Sequence, residues 1–345
     1  MMEYISGNIL KADAEAIVNT VNCVGVMGKG IALQFKKAYP ENFKVYEKEC
    51  RDKKMKVGKM LTFHTSSLMN PRYIINFPTK RHWKGKSRYE DIESGLAALV
   101  EEVKQFNIQS IAIPPLGCGL GGLEWPKVRK MIEEAFAPLA EVHVLLYEPT
   151  GAPAVADMPV RTSKPKMTVA RALLIKLIQQ YSKYAYRLTL LEVQKLAYFL
   201  QEAGQPLKLR FVKHIYGPYA HNLNKVLEVL EGHFISGYGD TQKPDVEIQL
   251  LPEALKAADE FLEKHAEEKE RLDKVESLVD GFETPYGMEL LSSIHWVVNH
   301  DHVDSDPKEV IQNVKSWNER KARLFQDTHI ELALGRLSAE AWLNH

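Results

Sequence analysis

Glycine residues cluster in two short stretches that could bind a phosphate group. In residues 111–125, IAIPPLGCGLGGLEW, four of the six positions 117–122 are glycine and follow an apolar run. In residues 22–35, NCVGVMGKGIALQF, three glycines precede a predicted helix. Backbone amides at such strand-to-helix turns form concave sites that attract anions. Two of these turns at the edge of one sheet could face each other and bind a diphosphate.

Residues 117–122 also match G-x-G-x-x-G, the motif of dinucleotide-binding Rossmann units. A Rossmann unit places this motif after its first strand and continues with further strand–helix units. Here only one helical pattern and one predicted strand follow before a proline-rich segment, which argues against a Rossmann fold. The first stretch also differs from a phosphate-binding Walker A loop, G-x-x-x-x-G-K-[ST].

Lys80 lies at the end of a predicted strand and begins a basic loop. Residues 76–88 read NFPTKRHWKGKSR, with five Lys or Arg residues, one tryptophan and no acidic residue. Basic side chains near an aromatic ring suit a nucleic-acid backbone and a stacked base. The same composition is also typical of a solvated charged loop, and the sequence leaves both interpretations open.

Asn19 and Asn22 lie at the end of another predicted strand, directly before the first glycine-rich stretch. An amide at this position could donate a hydrogen bond to a sugar hydroxyl. Asparagine side chains also often cap turns through bonds to the nearby backbone.

These residues are positioned by alternating strand and helix patterns. Apolar runs at 16–22, 72–78, 110–116 and 141–148 predict strands, and helical periodicity fills the intervals between them. Ser87 is the predicted N-cap of the helix that begins near residue 89. The alternation predicts an α/β fold with helices on both faces of a mixed central sheet.

A proline-rich segment divides the chain. Residues 149–166 contain four prolines without periodicity and predict a linker between a first domain, 1–148, and a second, mainly α-helical domain, 167–345. The first domain has 21 basic and 17 acidic residues, and the second has 21 basic and 27 acidic residues. Domains of opposite charge favour different partners, with nucleic acid a candidate for the first.

Three cysteines in 345 residues form neither a disulfide framework nor a metal-ligand spacing, which favours a reducing cytoplasm. No run of about 20 apolar residues predicts a membrane span, and the N-terminus does not resemble a signal peptide. No cluster of His, Cys and Asp predicts a metal, and no metal or redox cofactor is expected.

Three motifs together resemble those of macrodomains, the α/β/α fold that binds ADP-ribose. They are GNIL…DAEAIVNTVNCVGVMGKGIA, NFPTKRHW…SRYEDIESGL and IPPLGCGLGGLEW, in the family's order and spacing across residues 1–148. The resemblance is strongest to the branch that contains human terminal ADP-ribose glycohydrolase and the DarG-type antitoxins, which remove ADP-ribose from thymine in single-stranded DNA. It implies a three-layer α/β/α macrodomain with a central mixed sheet.

The resemblance also implies a binding site residue by residue. Lys80 matches the lysine that the family uses in catalysis, and Thr79 lies beside it. The remaining matched positions contact the adenine end, the ribose nearest the scissile bond and the two phosphate loops. In that order they are Asn8 and Ile9; Thr20, Val21 and Asn22; Gly30, Ile31, Ala32, Leu33 and Gln34; and Gly117, Cys118, Gly119, Leu120 and Gly121.

Gly121 marks a departure from the human relative, which has an aspartate there that assists the catalytic lysine. Glycine at this position resembles the DarG-type loops instead. Lys80 could cleave a glycosidic bond in two ways, which the sequence does not distinguish. A lysine of lowered pKa could attack the anomeric carbon or the aldehyde of the open ring. A charged lysine could instead stabilise the departing base.

The second domain resembles the antitoxin-associated Panacea or SocA-like family. The shared pattern is KLAYF at 195–199, GQPL at 204–207 and YGP at 216–218, each near a predicted helix. This resemblance implies a module that binds a toxin, and the acidic charge favours imitation of nucleic acid in the toxin's DNA-binding groove. Tyr-Gly-Pro is also an ordinary sharp turn.

Together these resemblances predict an antitoxin that hydrolyses ADP-ribosylated thymidine in single-stranded DNA, releases ADP-ribose and neutralises a DarT-type toxin. Two alternatives stay open: a macrodomain that binds ADP-ribose without cleaving it, and a hydrolase that removes ADP-ribose from glutamate esters of proteins. Lys80 favours cleavage, and Gly121 with the basic loop favours DNA as the substrate.

Overall fold

The computed structural model describes residues 1–149, 158–184, 187–239, 245–265 and 268–343. The chain forms two compact units, the first built mainly from Met1–Ser163 and the second beginning at Lys164. The predicted linker falls partly outside the described residues, which omit 150–157. The division of function between the predicted domains stays a prediction.

A mixed sheet of six strands lies at the centre of the first unit, as far as the described residues show. The strands are β1 (Met2–Ile5), β2 (Ala16–Asn22), β3 (Leu61–His64), β4 (Tyr73–Lys80), β5 (Ser110–Ile113) and β6 (His143–Tyr147). Their order is β1-β6-β5-β2-β4-β3. Strand β3 is antiparallel to β4, and the other neighbouring pairs are parallel.

Helices cover both faces of this sheet because successive strand residues point to opposite sides. The helices are α1 (Gly30–Ala38), α2 (Pro40–Arg51), α3 (Tyr89–Gln105) and α4 (Trp125–Phe136). Val18 packs in one core with residues of α3 and α4, whereas the neighbouring Ile17 packs in another with Phe35 of α1. The predicted three-layer α/β/α macrodomain is confirmed.

Three local features of the first unit differ from the sequence pattern. The helical pattern over residues 30–50 is interrupted at Pro40, because a proline clashes with a preceding helical turn. The edge strands β1 and β3 are not predicted from the sequence, because their sequences, MEYI and LTFH, interrupt apolar residues with polar ones. The prediction that Ser87 caps α3 is wrong: the N-cap position is Arg88, and Ser87 is buried.

The second unit is mainly helical, as predicted. Its helices are α5 (Val169–Tyr184), α6 (Leu190–Glu202), α7 (Leu223–Leu230), α8 (Pro252–Leu262), α9 (Lys269–Val279), α10 (Pro285–Asn299), α11 (Pro307–Ser316), α12 (Glu319–Leu324) and α13 (Asp327–Ala339). Two antiparallel pairs complete it: β7 (Phe211–His214) with β8 (Gly217–Ala220), and β9 (Ile235–Ser236) with β10 (Gln249–Leu250). None of the described helices is long and apolar enough to cross a membrane.

Candidate active site at the edge of the sheet

The predicted site residues gather at one edge of the first unit's sheet. Strands β2, β4 and β5 are parallel neighbours with β2 in the middle, so the loops that follow them emerge at the same edge. In the β2–β4 register, Asn22 is the partner of Lys80. Open α/β sheets bind ligands at the carboxyl ends of their strands. The strand order therefore places the two glycine-rich stretches and Lys80 where a ligand would bind.

The second glycine-rich loop is packed too tightly for a side chain at Gly121. A Cβ atom added there would lie 2.1 Å from the Gly117 carbonyl oxygen and 2.3 Å from Ser87 Oγ. The Ser87 amide donates to the Gly121 carbonyl over 3.0 Å, which ties this loop to the start of α3. Gly117 has a φ of +70°, a conformation that favours glycine. Close packing thus explains these two glycines.

The first glycine-rich loop is held by Asn22. The Asn22 side-chain amide donates to the Val26 carbonyl over 2.5 Å, and its oxygen accepts from the Val24 amide at 3.0 Å. The buried Tyr46 hydroxyl donates to the Asn22 backbone oxygen over 2.7 Å. Asn22 therefore organises the turn in this structure, and its predicted contact with a ribose stays a prediction. The loop ends at Gly30, which has a φ of +59° and begins α1.

The two loops and the lysine meet around Leu120. The Lys80 ammonium group donates a hydrogen bond to the Leu120 carbonyl oxygen. A Cβ atom placed on Gly30 would lie 3.7 Å from Leu120 Cδ1, so the first loop reaches the second. Neither α1 nor α4 has a side-chain hydrogen bond at its N-cap, although the Gly30 amide that begins α1 already donates to a backbone carbonyl. Three segments far apart in sequence thus form one site.

Partial burial shifts the pKa values of Lys80 and of the nearby cysteines in opposite directions. Desolvation lowers the pKa of Lys80 below its ordinary value, which increases the fraction of neutral amine. Burial raises the pKa of Cys118 and of Cys23 to about 11. Both thiols therefore stay protonated and are poor nucleophiles. Lys80 is the best nucleophile candidate of these three side chains.

The other predicted site residues divide by burial. Three have side chains in the hydrophobic core and can offer a ligand only their backbone: Ile9, Val21 and Leu33. Asn8 caps a short 3₁₀ helix by accepting from the Leu10 amide over 3.0 Å. The buried Thr79 hydroxyl donates to the Val21 carbonyl over 3.4 Å. The remaining ones lie in the first five residues of α1, in the second loop or near the end of β2, and of these Gln34 is also buried: Thr20, Ile31, Ala32, Gln34, Cys118 and Gly119.

Two supporting contacts are not evident from the sequence. The Ser87 Oγ is buried without a hydrogen-bond partner among the described residues, close to both Gly117 and Gly121. Arg81 forms an ion pair of 2.9 Å with Asp91, whose side chain is 7% exposed. In the sequence, these residues stand out only because they lie near the start of α3. A residue that caps the helix would lie there as well, so the sequence could not reveal these contacts.

Among the described residues, one group has the composition of a metal site. Ligand-type atoms of Glu202, His295 and His300 lie within 4.8 Å of one another in the second unit. The ring nitrogens of His295 already have partners, Nδ1 with the Tyr198 hydroxyl at 2.7 Å and Nε2 with the Asn299 amide at 3.0 Å. Protein contacts therefore satisfy the buried histidine.

Comparisons with known proteins identify the family to which this fold belongs. The Macro domain family model matches residues 18–132. The DNA ADP-ribosyl glycohydrolase of Thermus aquaticus is 45% identical over 99% of this chain and 96% of its own length. A Thermosipho africanus DNA ADP-ribosyl transferase–DNA ADP-ribosyl glycohydrolase fusion protein is 35% identical over 43% of this chain and 42% of its own. The solved macrodomain of Mycobacterium tuberculosis DarG is 51% identical, with a TM-score of 0.43, over 44% of this chain and 99% of that one.

The fold and the matched segment define the first unit as a macrodomain. The identity of 45% to the Thermus relative extends over almost the whole chain, so it identifies the family of the second unit as well. The chain belongs to the family of DNA ADP-ribosyl glycohydrolases, the DarG family. The prediction of an enzyme of this class is confirmed.

Proposed function

We propose that this chain hydrolyses the N-glycosidic bond between ADP-ribose and thymine in single-stranded DNA. Water supplies a hydroxyl group to the anomeric carbon and a proton to the departing thymine nitrogen, so ADP-ribose and repaired DNA are the products. The observation that carries the proposal is the meeting of Lys80, Gly30 and Leu120 at the carboxyl ends of parallel strands. The two glycine-rich loops would bind the diphosphate and leave the proximal ribose beside Lys80.

Two mechanisms for Lys80 make opposite predictions about pH. A neutral Lys80 amine that attacks the anomeric carbon, or the open-ring aldehyde, requires loss of its proton. Its rate would rise with pH through the lowered pKa of this lysine. A charged Lys80 that stabilises the departing thymine would lose activity over the same interval. Borohydride distinguishes them as well, because it reduces an imine of the lysine and the aldehyde to a stable adduct.

The experiment is to incubate the full chain with a single-stranded oligonucleotide that carries ADP-ribosylated thymidine. We expect wild type to release ADP-ribose and Lys80→Ala to lose at least about 100-fold in kcat, the usual effect of removing a key catalytic contact. Lys130→Ala, at an exposed lysine of α4, controls for loss of a charge.

Each alternative function has its own outcome in this assay. Tight binding of ADP-ribose by wild type without release from DNA would contradict hydrolysis and support a reader of ADP-ribose. Release from glutamate esters of proteins but not from DNA would support a protein-directed hydrolase.

We propose further that the second unit binds and neutralises a DarT-type transferase toxin. The Thermosipho relative, whose name joins a transferase and a glycohydrolase in one chain, supports a transferase as partner. Acidic charge also supports this, because residues 301–309 have four acidic residues and one lysine, and all four acidic residues are exposed. Such a surface could imitate the phosphates that a DNA-modifying toxin binds. The reducing cytoplasm is the compartment we propose, since the three cysteines are free.

Neutralisation is separable from hydrolysis by using Lys80→Ala. This full-length variant is added to the toxin together with its DNA, and the rate of DNA modification is measured. We expect the hydrolysis-deficient protein to lower that rate and to form a complex in size-exclusion chromatography. The substitution Asp304→Lys should weaken the complex. Normal toxin activity in the presence of excess Lys80→Ala protein would contradict the proposal.

A further inference from the structure

The segment 81–88, RHWKGKSR, continues directly from the catalytic candidate Lys80. The proposed function does not give this segment a ligand. It contains four basic residues and no acidic residue, and all of its residues except Ser87 are exposed. We call residues 81–88 the basic segment. Its positive charge and exposure suit a polyanionic ligand. Its position next to Lys80 would bring such a ligand close to the proposed catalytic residue.

Both ends of the basic segment are fixed to the body of the macrodomain. Arg81 pairs with the nearly buried carboxylate of Asp91 at 2.9 Å, and the Ser87 amide donates to the Gly121 carbonyl over 3.0 Å. Between them, the Gly85 amide donates to the His82 carbonyl over 3.0 Å and closes a turn. A loop held in this way presents its side chains in a fixed arrangement, which lowers the entropy cost of binding.

Aromatic and cationic groups stack at the tip of this turn. The rings of His82 and Trp83 are stacked, with centroids 5.6 Å apart and planes inclined by 29°. The Lys84 ammonium group lies 5.1 Å from the Trp83 ring centroid. Trp83 keeps 36% of its surface exposed, so its indole can still receive a further planar group. Stacked aromatic rings flanked by cations are typical of single-strand binding surfaces.

A groove borders the basic segment on the side of the second glycine-rich loop. Its volume is about 570 Å³, and its lining combines two arginines with aromatic, apolar and acidic side chains. The lining residues that matter here are Arg81, Arg88, Tyr89 and Leu123. Because Gly121 contacts Ser87, this groove begins next to the loop that meets Lys80.

We propose that the basic segment binds the DNA strand next to the modified thymidine. Trp83, with His82 behind it, stacks against a neighbouring base, and Lys84, Lys86 and Arg88 contact backbone phosphates. This inference rests on the proposed function, because it assumes a DNA strand attached to the base beside Lys80. According to this inference, the basic segment makes the enzyme prefer a modified single strand to an isolated modified nucleoside as its substrate. A solvated loop without a ligand would require neither the two anchors nor the aromatic stack.

The test compares two substrates that differ only in the flanking strand: an ADP-ribosylated oligonucleotide and ADP-ribosyl thymidine itself. For Trp83→Ala we expect the ratio of kcat/KM for the oligonucleotide to that for the nucleoside to fall about tenfold, through KM, since a stacked base contributes about that much. Trp83→Phe, which keeps an aromatic ring, should restore most of the ratio. An unchanged ratio in Trp83→Ala would overturn the proposal.

The phosphate contacts are tested through salt dependence. In Lys84→Ala/Lys86→Ala, the slope of the logarithm of oligonucleotide affinity against the logarithm of salt concentration should fall by about 1.4, or about 0.7 for each lost phosphate contact. Lys56→Ala/Lys59→Ala removes two exposed lysines outside the segment and should leave the slope unchanged. Equal slopes in both double variants would contradict the proposal.

Affinity for an unmodified oligonucleotide distinguishes failure of the proposed hydrolysis from failure of the proposed DNA-binding surface. If wild type hydrolysed neither substrate, the proposed function would fail. A loss of oligonucleotide affinity in Trp83→Ala would still support the binding surface. Hydrolysis with no such loss would instead reject the surface and leave the proposed function intact.

Discussion

Close packing in the second glycine-rich loop explains why Gly121 has no side chain. The resemblance to macrodomains implies that this position distinguishes DarG-type loops from the human relative, for which it implies an aspartate. The structure adds the reason, since an added Cβ atom would lie 2.1 Å from the Gly117 carbonyl oxygen. An aspartate at this position requires a different path of the main chain. In the proposed mechanism, any residue that assists Lys80 must therefore lie elsewhere in this protein.

Substitutions at two positions of this loop should differ sharply in stability. Gly121→Ala should lower the free energy of unfolding by about 2 kcal/mol, because the new methyl group overlaps backbone and Ser87 atoms. Gly119→Ala should change it by less than about 1 kcal/mol, since nothing lies within 4 Å of the added atom. Chemical denaturation of both variants measures this, and equal stabilities would show that the loop readily moves.

At the scale of elements, α3 must approach β4 closely, and a glycine makes this possible. A Cβ atom added at Gly95 would lie 2.2 Å from Phe77 Cζ, and Phe77 is on the strand that ends at Lys80. Helical periodicity predicts α3 from the sequence, but this approach does not follow from periodicity. It depends on which side chain of β4 lies beneath the helix.

Replacing Gly95 by alanine should destabilise the protein, although alanine in a helix is usually more stable than glycine. Alanine favours a helix over glycine by about 1 kcal/mol. Gly95→Ala should nevertheless destabilise the protein by about 1–3 kcal/mol, because the methyl group overlaps the Phe77 ring. Gly335→Ala in α13 meets nothing within 4 Å and should stabilise by about 0.5–1 kcal/mol. Thermal unfolding of the two variants gives the comparison, and a stabilising Gly95→Ala would contradict the packing.

At the scale of the whole molecule, the second unit buries two lysine side chains near each other. Lys195 and Lys321 are almost completely buried beside one buried carboxylate, Glu289. Lys195 donates to the Pro218 carbonyl over 2.6 Å, and Lys321 donates to Glu289 over 2.6 Å. Burial, followed by repulsion from Lys321, lowers the pKa of Lys195 to about 7. Burial lowers the pKa of Lys321 to about 8.

The stability of the protein should therefore depend on pH through Lys195. Between the folded pKa of about 7 and the ordinary lysine value, the unfolded chain binds one more proton at this residue. Unfolding becomes less favourable as pH rises through this interval. From pH 7 to 9, the stability of wild type relative to Lys195→Met should increase by on the order of 2 kcal/mol.

Guanidinium denaturation of the full chain at each pH measures this difference. Lys225→Met, at an exposed lysine, should show a difference from wild type that stays constant. A constant difference for Lys195→Met as well would mean that Lys195 keeps its proton in the folded state from pH 7 to 9, which would contradict the lowered pKa.

The sequence by itself determined the class of protein. Two glycine-rich turns, Lys80 at a strand end and the alternation of strands and helices are local patterns, and each predicts its own structure without knowledge of distant contacts. Only the tertiary structure decided what these patterns contact. Ser87 supports the second loop instead of capping a helix, and Lys80 reaches the Leu120 carbonyl. Contacts across 34 or 40 residues depend on strand order and register, which no local pattern encodes.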